Sequence, residues 1–265
     1  MKQLIYFTIQ EVLNSRIFRL LLLAPLVLMV VALTFTGLFM LDLGKVFIDT
    51  MFASTHLLCF TFLMFLAAPF LARDIDAHFT YILLTLPISR GQYLLGRFIG
   101  LCATFLLLII VLIIVTSLSL ELASSIWGSY MATADIGSMV LGIFLIAWQY
   151  LSLIAIALFV FSWATGSAEI LSFTFLIWLL SWFFPPVLTA MQDSEVAQTI
   201  PPFLHVILES CYQLVPHLTG GEIANRLAHG ISLQGKEIIY YLIEHTAYAT
   251  ILFTSALILF RRRNL

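Results

Sequence analysis

The chain has 265 residues, of which 62% are hydrophobic and 10% are charged. Soluble domains are usually about half apolar and about a quarter charged, so this composition argues against a soluble protein and predicts a membrane protein. The net charge of −2 and the lack of a basic stripe give no support for a nucleic-acid partner. Three scattered cysteines are too few for a disulfide framework.

The first predicted element is an amphipathic helix over residues 1–15. Its apolar residues recur at helical spacing and its polar residues occupy the other face. The apolar set is Leu4, Ile5, Ile9, Val12 and Leu13, and the polar set is Gln3, Gln10, Glu11 and Asn14. Such a helix suits the plane of the inner membrane interface. The alternative is a cytosolic tail whose periodicity arises by chance.

Six apolar segments follow, each long enough to cross the hydrocarbon layer, which takes about 20 helical residues. They cover residues 20–40, 52–71, 98–120, 138–163, 170–190 and 238–260. Helices are expected because lipid cannot satisfy an open backbone. We therefore predict an all-α polytopic membrane protein with a single transmembrane domain over residues 1–265. Pro25 and Pro69 are expected to kink their spans, and Pro185 with Pro186 to end or bend the fifth.

The basic residues sort to one side of this arrangement. The side that holds both termini has Lys2, Arg16, Arg19, Arg73, Arg90, Arg97, Arg261, Arg262 and Arg263. The opposite side has only Lys45, Arg226 and Lys236. Cytoplasmic loops carry the excess of Lys and Arg, so we predict that both termini are cytoplasmic.

The longest cytoplasmic connection, residues 73–97, joins the second and third spans. Its large apolar residues lie at i, i+3, i+4 and i+7, which is one face of a short helix. They are Phe79, Ile82, Leu83 and Leu86. Asp74 or Asp76 is placed to cap this helix, and Ser89 with Gln92 has capping-box spacing for the next one. We predict a docking element here; the alternative is a solvated hairpin that only joins two spans.

The long outer region, residues 191–237, is predicted to contain short helices near residues 203–215 and 222–229. At about 1.5 Å per residue neither can cross the bilayer, so both are expected to enter and return on the outer side. Ionisable or polar groups in or beside the spans are candidates for translocation or gating, because their burial is costly. These candidates are Glu244, His245, Glu121 and Gln149. Glu244 alternatively lies among the headgroups, and Gln149 is expected to hydrogen-bond between helices.

Several familiar motifs are absent from the sequence. No phosphate-binding loop of the form G-x-x-x-x-G-K-[ST] occurs, so any ATP must be bound by another chain. The outer histidines, His205, His217, His229 and His245, are too far apart for a local metal-ligand spacing, and we predict no metal site. Gly96 and Gly100 form a G-x-x-x-G motif, which indicates close helix packing or dimerisation.

Short stretches around the predicted docking element carry a family resemblance. Arg73–Asp74 precedes residues 85–90 (TLPISR) and 94–97 (LLGR), and residues 259–265 read LFRRRNL. With the predicted topology, the chain resembles a permease subunit of the type-two ABC exporter superfamily. That class includes drug and polysaccharide exporters, haem-exporter-like subunits and permeases of metalloenzyme-maturation systems.

The resemblance implies a multi-pass subunit of the inner (cytoplasmic) membrane that has no cofactor and no ATPase site of its own. Its partners would be a second permease copy, two cytosolic ATP-binding-cassette ATPase subunits that bind ATP and magnesium, the lipid bilayer and, in some systems, a periplasmic accessory protein. The coupling helix would then use Arg73, Asp74, Asp76, Phe79, Ile82, Leu83, Leu86 and Arg90. The outer helices would gate the exit, and the substrate stays open.

A second hypothesis comes from a different functional class. Glu244, His245, Glu121 and His56 would serve an intramembrane enzyme or a secondary carrier that acts without any nucleotide-binding partner. An ATPase encoded beside this chain would favour the exporter hypothesis instead.

Overall fold

A computed structural model of the chain describes residues 2–39, 42–76, 89–131, 134–192, 203, 207–208, 210, 218–231 and 233–262. These residues are mostly helical and contain no strand, which confirms the predicted all-α architecture for this part of the chain. The predicted docking residues Phe79, Ile82, Leu83 and Leu86 lie outside the described residues, as does most of the outer helix expected at 203–215.

The main helices are α1 (Lys2–Asn14), α2 (Arg16–Thr36), α3 (Leu43–Phe62), α4 (Ala68–Asp76), α5 (Arg90–Trp127), α6 (Ile136–Trp163), α7 (Ser167–Gln192), α8 (Gly220–Ala228) and α9 (Gly235–Arg262). Six stretches are long and apolar enough to cross a membrane: α2, Leu43–Asp76, Arg90–Met131, α6, Ser167–Val187 and α9. The predicted six spans are confirmed at this level. The first span, α2, ends at Thr36, four residues before the predicted limit, and Gly37 follows as its cap.

The second crossing is one long helix with a wider turn inside it. The π-helical turn Leu63–Ala67 joins α3 to α4, and the backbone N–H of Ala68 donates to the Leu63 carbonyl five residues earlier. Pro69 follows directly; in a regular α-helix its ring would press against the carbonyl four residues before it. The local irregularity expected at Pro69 is therefore this π turn, which relieves that clash.

The fifth crossing runs through its two prolines. Pro185 and Pro186 lie inside α7, which continues to Gln192, so the prediction that the helix ends at these prolines is wrong. Membrane helices tolerate proline because neighbouring groups can compensate for the missing N–H donors.

Helix α6 lies at the centre of the bundle and packs against α3, α5, α7, α8 and α9. Of its most apolar stretch 78% is buried, compared with 11% for α9. The outer faces of the peripheral helices are apolar as well; Leu20, Val27 and Ile251, for example, are more than 60% exposed. A helix bundle in lipid is expected to show this pattern, because its outer surface needs no polar side chains.

Candidate functional site

Five side chains form an ion-paired group at the end of the bundle that the sequence predicts to be cytoplasmic: Glu11, Arg73, Asp74, Tyr93 and Arg97, here called the inner ionic cluster. Arg97 Nη2 donates to Asp74 Oδ1 at 2.9 Å, and Arg97 Nε lies 2.9 Å from Asp74 Oδ2 as an ion-pair contact. The Tyr93 hydroxyl donates to Asp74 Oδ2 at 2.6 Å. Arg97 Nη1 also lies 3.0 Å from Glu11 Oε2, and Arg73 pairs with the other oxygen of Glu11. The cluster thus ties α1 to the end of α4 and the start of α5.

The Arg97 guanidinium is enclosed rather than solvated. Its side chain is fully buried, and that of Asp74 is 1% exposed. The guanidinium carbon lies 4.6 Å from the centre of the Phe70 ring, 5.6 Å from that of Tyr93 and 5.9 Å from that of Phe7. Aromatic faces attract a cation, and a hydrogen-bonded carboxylate compensates part of its desolvation. The charge is therefore stabilised in place without water.

The G-x-x-x-G motif provides the seat for α1. A Cβ atom added to Gly96 would lie 2.6 Å from Leu4 Cδ2, and one added to Gly100 would lie 2.6 Å from the Cβ of Thr8. Only glycine therefore lets the two helix backbones come this close. Of the two uses predicted for this motif, the structure shows packing within the chain, which holds α1 against α5.

The start of α5 is fixed by local bonds and by the end of α9. Ser89 Oγ accepts from the Gln92 backbone N–H, and Gln92 Oε1 accepts from the Ser89 backbone N–H, which confirms the predicted capping box. Arg90 Nη1 donates to the carbonyls of Phe260 and Arg261 at 3.5 and 3.2 Å. A cation at the C-terminus of a helix is stabilising.

The predicted coupling residues therefore differ in accessibility. Arg73 and Asp76 are exposed, and Arg90 is half-buried beside the end of α9. Asp74 is buried inside the cluster, so it can influence a bound partner only by positioning its neighbours. Arg97 and Tyr93 were missed as site residues, because their partners are distant in sequence.

A second polar group joins the middle of α6 to the first turns of α8 and α9. It consists of Gln149, Tyr241, His245 and the backbone of Gly220, and is here called the outer polar cluster because α8 and α9 begin at the end predicted to face outward. Gln149 Oε1 accepts from Gly220 N–H at 3.0 Å and from the Tyr241 hydroxyl at 3.1 Å. His245 is buried, stacks on Tyr241 and has Nδ1 3.1 Å from the Tyr241 carbonyl. Gln149 thus makes the interhelical hydrogen bonds that the sequence predicted.

The gating candidates taken from sequence are split by this arrangement. Gln149 and His245 both belong to the outer polar cluster, connected by Tyr241. Glu121 on α5 and Glu244 on α9 lie instead on exposed faces of their helices. The sequence signal for the cluster was the polar residue in an apolar span; nothing in the sequence indicated that Tyr241 and Gly220 would meet it.

A cavity of about 630 Å³, here called the outer cavity because the sequence predicts this end of the bundle to face outward, lies between α3, α7 and α8. It is lined by Asp49, Phe52, Ala53 and His56, by Trp182, Phe183, Pro185 and Pro186, and by Leu218, Gly221, Glu222 and Asn225. Gly221 allows α8 to approach α3, since a Cβ there would lie 2.9 Å from His56 Nε2. Tyr150 supports this wall by donating from its hydroxyl to the His56 carbonyl at 3.2 Å.

Within the described residues, no group of three or more His, Cys, Asp or Glu side chains is arranged to hold a metal ion. Comparison of the chain with protein-family models and with curated proteins gives no match. The inner ionic cluster, the outer polar cluster and the outer cavity are the structural features that bear on the function of the chain.

Proposed function

We propose that this chain is the permease subunit of an ATP-driven exporter, and that a separate cytosolic ATPase acts on it through residues 77–88. The inner ionic cluster carries the proposal. Both flanks of that segment, ending at Asp76 and beginning at Ser89, lead directly into the cluster. Flanks that are tied into one cluster support the hypothesis of a docking element better than that of a plain connecting hairpin.

The proposed coupling between the ATPase and the membrane helices is mechanical. Asp74 and Arg97 are 23 residues apart in sequence, yet they share a buried, hydrogen-bonded ion pair. A force applied to the segment between Asp74 and Arg97 would move α4 and α5 together, because charge-assisted bonds and close packing hold the two helices rigidly to each other. Glu11 would carry the same displacement to α1. The basic residues of the predicted topology favour a cytosolic location for this end.

The resemblance to type-two ABC exporters supplies the rest of the proposal. It favours two permease copies and two ATPase copies, with ATP and magnesium bound by the ATPase, in the inner membrane with both termini cytoplasmic. In this arrangement α1 lies along the inner interface, and α8 enters from the outer side. The hydrogen bond from the Gly220 N–H to Gln149, which lies near the middle of α6, supports an α8 that reaches into the membrane.

The test is photo-crosslinking in cells that express the chain with its genomic neighbours. A benzophenone amino acid replaces Phe79 or Leu83, and Tyr130 provides the control position, because it is exposed at the opposite end of α5. We expect crosslinks from the first two positions to a cytosolic chain with a phosphate-binding loop, and none from the control. Labelling of Phe79 from the outer side, or crosslinks without such an ATPase, would contradict the proposal.

The hypothesis of an intramembrane enzyme or secondary carrier gains less support from the geometry. Its four residues are divided between exposed helix faces (Glu121 and Glu244), the outer polar cluster (His245) and the cavity wall (His56). Activity in reconstituted vesicles without nucleotide, lost in Glu244→Gln, would favour it over the exporter.

A further inference from the structure

The outer cavity combines negative charge with apolar walls. Asp49 lines it from α3 and Glu222 from α8, whereas no lysine or arginine is among its described lining residues. Lys45, one turn before Asp49 on α3, is not part of the lining. The charge of the cavity is therefore negative, and an anionic ligand would be repelled.

Aromatic rings form much of the remaining wall. Phe52 faces the cavity from α3, and Trp182 and Phe183 face it from α7. Trp182 and Phe183 are each 60% exposed, so their rings are not occupied by packing within the described chain. Aromatic faces attract organic cations such as quaternary ammonium groups, and they also accept apolar groups. Carboxylates beside aromatic rings are therefore suited to a ligand that is both cationic and hydrophobic.

The cavity also has the size and support of a ligand site. Its volume of about 630 Å³ falls in the range of about 300–1,000 Å³ that small-molecule pockets occupy. Two of its walls are held from α6: the Tyr150 hydroxyl bonds to the His56 carbonyl of α3, and the Gln149 side chain accepts from the first turn of α8. Walls fixed in this way lower the cost of ordering the site when a ligand binds.

We propose that this cavity binds amphipathic organic cations. Asp49 and Glu222 would attract the charge, and Phe52, Trp182 and Phe183 would enclose the apolar part. As a substrate class for the transporter, the inference rests on the proposed function. Binding itself is measured on this chain without an ATPase, so the two proposals fail separately.

The test uses the full chain purified into phosphatidylcholine nanodiscs. Saturable binding of radiolabelled tetraphenylphosphonium is compared with that of tetraphenylborate, which has the same shape and the opposite charge; empty nanodiscs give the lipid background. We expect saturable binding of the phosphonium alone. In Asp49→Asn with Glu222→Gln, affinity should fall about tenfold or more, the effect of removing both attracting charges from a partly desolvated site. Asp135→Asn removes an outer carboxylate outside the cavity and should bind like the wild type.

Several results would overturn the inference. Equal binding of phosphonium and borate by the wild type, or no saturable binding of the phosphonium, would exclude a cation site without any variant. Unchanged affinity in the double variant would exclude the two carboxylates. Trp182→Leu covers the case in which the double variant does not fold, because Trp182 is exposed and its loss should leave the bundle intact while weakening the binding severalfold. Unchanged affinity in this variant would exclude the aromatic wall.

Discussion

Replacing Arg97 by methionine is expected to destabilise the helix bundle strongly. The Arg97 side chain is fully buried and that of Asp74 is 1% exposed, so Asp74 would lose the cation nearest to its buried charge. Breaking a buried ion pair by removing one partner costs about 3–5 kcal/mol. Methionine retains an apolar stem, whereas the guanidinium contacts with the Phe70 and Tyr93 rings disappear with the charge, so the loss would report mainly the missing cation.

The companion variant is Asp74→Asn in the Arg97→Met background. The asparagine oxygen can still accept the hydroxyl of Tyr93, and no buried carboxylate remains at this position. We expect the double variant to be more stable than the sum of the two single losses predicts, with a coupling energy of about 1–3 kcal/mol. Arg19→Met, on an exposed arginine of α2, should stay within about 0.5 kcal/mol of the wild type.

The assay is reversible unfolding in micelles by steric trapping, which gives free energies for the wild type, the Arg97→Met and Asp74→Asn single variants, the double variant and the Arg19→Met control under one set of conditions. Two results would refute the reasoning. The first is an Arg97→Met variant as stable as the Arg19→Met control. The second is strict additivity of the single losses, which would mean that the two side chains do not depend on each other.

Three further predictions concern the helix contacts. Gly96→Ala should loosen α1 by about 1–3 kcal/mol through overpacking against Leu4, and Leu4→Ala should relieve that clash because it removes the Cγ and Cδ atoms, whereas Gly166→Ala, with open space at its Cβ, should be neutral; proteolysis of α1 measures all three. Gly220→Ala should displace α8, because its Cβ would overlap the Tyr241 hydroxyl, and hydrogen exchange in α8 should rise. The backbone N–H of Ser138 donates to Asp135 and holds the pKa of its carboxyl below the usual 3.8. The stability that this helix cap contributes is therefore present above about pH 4 and lost as the pH falls further. In Asp135→Ser, whose cap does not titrate, acid unfolding measurements should not show this decrease in stability.

The spans were predictable because every position of a crossing helix that is exposed to lipid is expected to be apolar. The capping box was predictable because Ser89 and Gln92 are three residues apart and their bonds are local. The inner ionic cluster was not, because Glu11 and Arg97 are 86 residues apart and meet only after α1 has packed on α5. Asp74 therefore read as an exposed docking residue, although burial makes it a structural partner.

The outer half shows the same limit. Gln149 was correctly expected to bond between helices, but its partner Gly220 is 71 residues away, in a region that sequence described only as short helices. Asp49 lies in the first turns of α3, which read as an outer loop, and only the fold brings it to one cavity with Glu222. Pattern reasoning assigns faces within one element, whereas a site between three elements needs their packing.

One helix connects the inner ionic cluster with the outer cavity. Within Leu43–Asp76, Asp49 and His56 line the cavity and Asp74 lies in the cluster, about 37 Å from Asp49 along a helix that rises 1.5 Å per residue. Helix α8, the opposite wall, is fixed to α6 through Gln149 instead. Under the proposed function, a displacement of Asp74 would tilt this helix against α6 and change the gap between His56 and α8. The π turn Leu63–Ala67, between the two sites, is where such a helix would bend, because it interrupts the regular ladder of i→i−4 hydrogen bonds. The same helix would therefore receive the push at one end and reshape the ligand site at the other.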